Sequence, residues 1–225
     1  MSSATPTLQA CRECGAGAPL DAHFCPQCTK ILPLQRQGDY FSFLGLPRKL
    51  NILAADLEQR FRSLSREFHP DYFYNASPAE RRASLERSSY LNDAYRTLRQ
   101  PETRLEYLLK IEGLAPEGPR EASRQVPPAL LEEVFALNEE LDEIRDVRAG
   151  GATADAWRDR LERARQPIEA KRVEHEAQLQ ELSARWDAAG SEIERREVLA
   201  ALRDRFLERN YITNLLAGIE RELTL

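Results

Sequence analysis

The chain has 225 residues, a mass of 25.7 kDa and a formal net charge of −5, with 42% hydrophobic and 31% charged residues. This length suits one large or two small domains with a hydrophobic core, and 13 Pro and 10 Gly are too few for a collagenous or low-complexity chain. No apolar stretch approaches the roughly 20 residues of a membrane-spanning helix, and the mildly acidic charge argues against general nucleic-acid binding.

All four cysteines lie in two C-x2-C pairs separated by ten residues: Cys11, Cys14, Cys25 and Cys28. Two such pairs supply four thiolates to one tetrahedral metal ion, and Gly15 and Pro26 suit the tight turns. Thiolates favour zinc, with iron second, and four protein ligands leave no open position, so the spacing predicts a structural ion. Two disulfides, or His23 in place of one cysteine, are the alternatives. Residues 1–38 therefore predict a small zinc-ribbon-like module that needs the metal to fold.

The middle of the chain predicts two antiparallel helices joined by a loop. A stripe of apolar residues follows the expected N-cap Asn51 at helical spacing: Leu57, Phe61, Leu64 and Phe68. Pro70 ends this helix near His69, because a proline disfavours helix in the residue before it. The next helix opens at Ser77, with Glu80 completing a capping box. Its buried face and a short following helix carry further apolar residues: Leu91, Ala94, Tyr95, Leu98, Leu105, Leu108 and Leu109.

The loop between these helices combines three residues with an arginine-rich neighbourhood. Arg62 and Arg66 stand one turn apart on the exposed side of the first helix, with Arg60 nearby. Taken singly, the loop residues are a helix-end histidine, a helix breaker and a turn former. Together at the apex of a hairpin they indicate a functional site: His69, Pro70 and Asp71.

The last half of the chain predicts an antiparallel three-helix bundle, because three long helical patterns are separated by short turns at Gly150-Gly151 and Gly190-Ser191. A coiled coil is the alternative. The acidic excess lies here, since residues 113–225 hold 17 basic and 24 acidic residues. The apolar stripe of the first of these helices is regular: Leu130, Val134, Leu137, Leu141 and Ile144. His175, on the second helix, is expected in solvent or at the core rim rather than as a ligand.

Two apolar residues of the first bundle helix lie beside its core stripe. Leu131 and Phe135 are four residues apart, and Glu139 and Glu143 continue the same ridge. One interpretation is a wide apolar face that packs on the preceding helices. The other is an exposed apolar pair flanked by carboxylates, which would bind a partner protein.

The middle segment resembles a J-domain, and more narrowly that of the HscB-type co-chaperones of iron–sulfur cluster assembly. The opening Asp39-Tyr40-Phe41, Leu44-Gly45-Leu46-Pro47 and His69-Pro70-Asp71 followed by Tyr72-Phe73 carry the resemblance. So do several later positions: Ser77, Glu80, Arg81, Ser84, Asn92, Ala94, Tyr95, Leu98, Pro101, Arg104, Tyr107, Leu108 and Leu109. The predicted fold class is all-α, with a J-domain hairpin followed by a three-helix bundle and preceded by the small zinc-ribbon-like module. The predicted boundaries are 1–38 for the module, 39–112 for the J-domain, 113–128 for a linker and 129–225 for the bundle.

The resemblance implies two partners. The loop His69-Pro70-Asp71, hereafter the HPD loop, would dock on a DnaK-type ATPase chaperone, often the specialised HscA, and speed its ATP hydrolysis. The basic helix face would take part: Arg60, Arg62 and Arg66. An IscU-type iron–sulfur scaffold protein would bind the bundle through a second set: Leu131, Phe135, Glu139, Glu143 and Tyr211. Glu132 and Ala136 depart from the family, which commonly has Met and an acidic residue there.

Other classes of function have less support in the sequence. No Walker-type glycine-rich loop and no Ser/His/Asp or Cys/His set is visible, so no enzyme is expected. The alternatives are a general J-protein that presents unfolded clients and a zinc-ribbon protein that binds nucleic acid. The module itself is open to three roles, which are homodimer formation, a partner contact, or capping of the J-domain. Residues 1–10 show no presequence, which favours a bacterial cytoplasm over a mitochondrial matrix.

Overall fold

The computed structural model describes residues 8–34, 38–115, 128–151 and 154–224. Within these ranges, only the backbone is described at 129, 148 and 154–156. The chain divides into two compact units, Met1–Leu108 and Leu109–Leu225. The boundaries proposed for module, J-domain, linker and bundle stay predictions, and residues 116–127 of that linker lie outside the described residues. No helix in the described ranges is long and apolar enough to cross a membrane.

The N-terminal module is a small β-ribbon wrapped around the cysteines. Strand β1 (Leu8–Ala10) pairs antiparallel with strand β2 (Gly17–Pro19), and a single bridge joins Phe24 to Ile31. Its core is very small: Cys11, Ala18, Cys25 and Leu32. So few buried apolar groups cannot offset the entropy of ordering this segment, which agrees with a module that depends on a metal.

The predicted helical hairpin is present. Helix α1 (Tyr40–Phe43) precedes α2 (Ala54–Glu67), which packs against α3 (Pro78–Arg99), and α4 (Pro101–Ile111) follows. A 3-10 turn, Pro70–Phe73, lies between α2 and α3. Because this connection is short, the two long helices run antiparallel.

One predicted helix cap is confirmed and another is wrong. Ser77 caps α3 and forms the predicted capping box, because its hydroxyl accepts from the Glu80 N–H and the Glu80 carboxylate accepts from the Ser77 N–H. Helix α2, however, begins at Ala54 with Leu53 as N-cap and no side-chain cap bond, so Asn51 is not the cap. Asp56, in the first turn, supplies the negative charge that a helix N-terminus favours.

Residues far apart in the chain hold the ends of the hairpin together. The Tyr107 hydroxyl accepts from the Tyr40 N–H at 2.9 Å, and the two rings stack with centroids 4.4 Å apart. The buried guanidinium of Arg104 donates to the carbonyl of Leu98 at 2.7 Å and to that of Leu50. These contacts join the opening of the segment to α4.

The second unit is the predicted bundle of three long helices: α5 (Leu131–Ala149), α6 (Ala154–Ala188) and α7 (Glu192–Leu223). All three contribute to one buried cluster: Leu130, Val134, Leu137, Ile144, Trp157, Leu161, Ile168, Ile212 and Ile219. Gly151 follows α5 at φ +82°, where a side chain would be strained, and Ser191 caps α7.

His175 is buried, which rules out the solvated position that was one of the two sequence-based expectations. Its Nδ1 lies 3.3 Å from a carboxylate oxygen of Glu208, and Arg205 reaches the same oxygen at 2.6 Å. The histidine therefore belongs to a polar cluster between α6 and α7, which its own helix alone did not indicate.

Candidate functional site

The four cysteines come together at one point. Their sulfur atoms all lie within 4.8 Å of one another, with Cys11 Sγ 3.6 Å from Cys28 Sγ and Cys14 Sγ 3.7 Å from Cys25 Sγ. Metal–sulfur bonds of about 2.3 Å in a tetrahedron place neighbouring sulfurs about 3.8 Å apart. The donor set and its spacing therefore fit a four-thiolate metal ion.

Two equivalent turns hold these sulfurs. In each, the residue after the second cysteine donates its N–H to the carbonyl of the first cysteine at 2.9 Å, as Gly15 does to Cys11 and Thr29 to Cys25. Both residues have a left-handed backbone, with φ +76° at Gly15 and +58° at Thr29. The turn amides of Cys28 and Gln27 lower the pKa of Cys25 to about 6, whereas burial and the neighbouring sulfurs raise the pKa values of Cys14 and Cys28, so a cation is needed for all four to be thiolates together.

His23 is not a ligand in this arrangement, because it faces the helical hairpin. Its ring lies edge-on to Phe43 and Phe68, with centroids 4.9 and 5.0 Å away. Burial and the Arg87 charge lower the pKa of His23 to about 4, so the ring is neutral at pH 7. Arg87 donates to Nδ1 at 2.7 Å, and Nε2 is therefore the donor to the Phe43 carbonyl at 3.1 Å.

Arg87 is the residue that sequence reasoning missed. Its side chain is 2% exposed although no carboxylate of the residues described above pairs with it, and burial lowers its pKa to about 10, so it stays charged. Besides His23, its acceptors within the described ranges are backbone carbonyls of the module: Ala22, Leu32 and Pro33. One signal was available, since Arg87 falls on the same helical stripe as the buried Leu91.

The HPD loop is displayed at the end of the hairpin. The His69 and Asp71 side chains are 52% and 87% exposed, and Pro70 is exposed as well. His69 Nδ1 accepts from the Asp71 N–H at 3.3 Å and lies 3.6 Å from the Asp71 carboxylate. The imidazole and the carboxylate are thus held side by side, facing outward.

The three arginines of α2 do not share one face. Arg62 and Arg66 are exposed and one turn apart, and Arg62 pairs with Glu58 at 2.5 Å. Arg60 instead reaches toward Gly45, whose φ of +64° allows the tight turn after α1. The basic surface beside the HPD loop consequently consists of Arg62 and Arg66, with Arg60 at its edge.

On α5 the apolar pair is exposed, with Leu131 at 40% and Phe135 at 70%. Glu139 is exposed and forms no ion pair within the described part of the chain. Glu143 is bound by Arg160 of α6, which also donates to Glu140 at 2.6 Å.

The remaining bundle residue of interest, Tyr211, is half-buried and packs against the bundle core. It is therefore at least partly a packing residue. The two positions that depart from the family pattern, Glu132 and Ala136, are both exposed.

Comparison with known proteins gives a consistent result. No protein-family profile matches the chain. A mouse protein described as an iron-sulfur cluster co-chaperone, HscB, is 35% identical over 138 residues, which are 61% of this chain and 57% of the mouse protein. The chain thus matches less than two thirds of that relative's length.

Two solved structures resemble the chain over most of its length. The crystal structure of human co-chaperone protein HscB aligns with 96% of this chain over 100% of the HscB chain, with a TM-score of 0.66 and 26% sequence identity. The chaperone HscB from Vibrio cholerae covers 82% of this chain and 97% of its own, with a TM-score of 0.53 and 28% identity. Together with the hairpin, the bundle and a four-cysteine cluster that fits a zinc knuckle, these matches identify the chain as a homologue of the HscB co-chaperones.

Proposed function

We propose that this protein is a co-chaperone of iron–sulfur cluster assembly. It stimulates the ATPase of a DnaK/HscA-type chaperone through its HPD loop and delivers an IscU-type scaffold protein to it. The observation that carries the proposal is the exposed HPD loop at the tip of a helical hairpin, in a homologue of HscB.

The geometry of the loop suits docking. Pro70 restricts the backbone between two polar side chains, and the hydrogen bond from the Asp71 N–H to the His69 ring restricts it further. Little conformational entropy is then lost when a partner binds both groups.

The neighbouring charges suit the same partner. Arg62 and Arg66 present positive charge beside the loop, and such charge accelerates association with an acidic groove and is screened by salt. Since Glu58 already pairs with Arg62, Arg66 is expected to contribute more to the salt dependence.

The scaffold protein is expected to bind α5. Leu131 and Phe135 offer exposed apolar anchors, and Glu139 offers a carboxylate that no described residue pairs. An apolar centre with a charged edge is the usual composition of a protein-binding patch.

The metal is proposed to be zinc in a structural role, because four thiolates form a closed ligand set with no open position. We also infer that the protein catalyses no reaction itself. The free energy of scaffold transfer would come from ATP hydrolysed by the partner.

The loop assignment is tested with His69→Gln. We expect this variant to lose stimulation of the chaperone ATPase and to keep the affinity for the scaffold, because the exposed His69 ring belongs to the first compact unit, whereas the proposed scaffold surface lies on α5 of the second. Glu106→Gln, an exposed change on α4, is the matched control. Unchanged stimulation by His69→Gln would count against the loop.

The scaffold surface is tested with the double variant Leu131→Ala/Phe135→Ala. We expect scaffold binding to weaken by roughly 2 kcal/mol in calorimetry, as happens when anchor residues are truncated. ATPase stimulation measured without scaffold should not change. Tight binding of unfolded peptides, with none of the folded scaffold, would favour a general J-protein instead.

A further inference from the structure

The backbone at the start of the HPD loop is anchored by α3. The Phe68 carbonyl, one residue before His69, accepts from the hydroxyl of Ser84 at 2.7 Å and from that of Ser88 at 3.0 Å. The Phe68 ring is fully buried. The position of this one residue therefore determines where the loop begins.

The N-terminal module covers the same residue. Phe24 and His23 of the module both lie against the Phe68 ring, with centroids 6.0 and 5.0 Å away. Lys30 also pairs at 3.0 Å with Glu80, the residue that completes the capping box at the start of α3. The module thus packs on the end of the hairpin that carries the loop.

Arg87 forms four hydrogen bonds across this interface. From α3 it donates to Leu32 at 2.8 Å, to Pro33 at 3.2 Å and to Ala22 at 3.3 Å, in addition to His23. Its guanidinium also lies 5.7 Å from the centre of the Phe68 ring. Among the described residues, every acceptor of these bonds belongs to the module, so the bonds connect the module to the hairpin.

We propose that Arg87 is a positioning residue: it ties the metal-loaded module to the hairpin and thereby holds the HPD loop in the conformation that docks on the chaperone. The carbonyls of Ala22, Leu32 and Pro33 keep their positions only while a metal holds the four cysteines together, because Cys25 and Cys28 lie between these residues in the chain. A partner that binds one loop conformation loses apparent affinity in proportion to the fraction of molecules that leave it. The docking part of this inference rests on the proposed function, whereas the ordering of the loop does not.

The test uses Arg87→Met in the full chain, since methionine keeps a long unbranched stem against Phe43 and Phe68 but removes all four hydrogen bonds. Two amides report on the loop by hydrogen exchange, because the N–H of Tyr72 bonds to the His69 carbonyl and that of Tyr74 to the Asp71 carbonyl. We expect both to exchange at least threefold faster. Arg96→Met, an exposed change on the same helix, should leave them unchanged.

The second readout is the chaperone ATPase. We expect Arg87→Met to raise the concentration for half-maximal stimulation at least fivefold, with the maximal rate and the scaffold affinity unchanged. Arg87→Lys keeps the charge and part of the hydrogen bonding. Its concentration for half-maximal stimulation should lie between those of the wild type and Arg87→Met. A merely destabilised protein would lose maximal rate and scaffold binding as well.

A third variant, Cys14→Ser, separates the metal from the arginine. With only three thiolates it should release the ion and speed exchange at Tyr72 and Tyr74 although Arg87 is intact. If the Tyr72 and Tyr74 amides exchanged at the wild-type rate in either Arg87→Met or metal-free Cys14→Ser, the inference would be overturned. Failure of the wild type to stimulate any DnaK-type chaperone would instead refute the proposed function and leave the exchange result to decide the inference.

Discussion

The two compact units are stabilised by different kinds of contact. In the N-terminal unit, buried arginines donate to carbonyls 55 and 54 residues away in the chain, as Arg87 does to Leu32 and Arg104 to Leu50. In the C-terminal unit, the apolar stripes of three long helices form one cluster, and ion pairs such as those of Arg172 with Glu169 and Glu176 lie at the surface, with the buried pair of His175 and Glu208 as an exception.

The difference follows from how much regular structure each unit has. Carbonyls in irregular segments lack the partners that a helix supplies, and burying them unpaired is costly. A guanidinium offers five donors and can satisfy several of them at once. In long helices the backbone is already paired, so the stability comes from side-chain burial. Single polar residues should therefore matter most in the first unit and single apolar residues in the second.

The largest effect is expected in the bundle core, for Leu161→Ala. Leu161 is fully buried, and such truncations cost about 3 kcal/mol of unfolding free energy. Both tryptophans of the chain, Trp157 and Trp186, lie in the bundle, so their fluorescence during urea unfolding reports on this unit. The matched control is Val173→Ala on the same helix, where the side chain is exposed. Equal midpoints for the two variants would contradict the comparison.

The corresponding change in the first unit is Arg104→Leu, which leaves the carbonyls of Leu98 and Leu50 without this donor. We expect a loss of about 2 kcal/mol, seen as faster hydrogen exchange along α3 and α4. The tryptophan transition should stay where it is. Arg96→Leu, which removes an exposed arginine, should change neither signal. A shift of the tryptophan transition would show that the units do not unfold separately.

The smallest change in stability is expected in the two equivalent turns that hold the cysteine sulfurs. Thr29→Gly should stabilise the module, because the left-handed backbone costs a non-glycine residue about 1 kcal/mol, partly offset by the greater freedom of glycine in the unfolded chain. We expect a competing chelator to remove the metal a few-fold less readily. Gly15→Ala changes the equivalent position, where no atom lies within 4 Å of the added methyl group. It should destabilise the module and make the metal easier to remove. If both variants shifted metal removal in the same direction, the two turns would not be equivalent.

Much of the site could be predicted from the sequence, because it depends on neighbours along the chain. The C-x2-C spacing brings Cys11 and Cys14 together within one turn, and the capping box of Ser77 and Glu80 forms over three residues. Pro70 ends a helix whatever packs around it. The sequence left open whether Phe135 packs on the preceding helices or is exposed, and the structure leaves its side chain 70% exposed.

The sequence by itself determined the four-cysteine cluster, the hairpin with its outward HPD loop and the three-helix bundle, since spacing, caps and periodicity act locally. Only the tertiary structure decided that Arg87 joins the module to the hairpin, that Arg60 turns toward Gly45 and that His175 is buried beside Glu208. In each of these cases the partner lies on another segment of the chain. Whether such a polar side chain faces water or a distant partner depends on packing that no local pattern specifies.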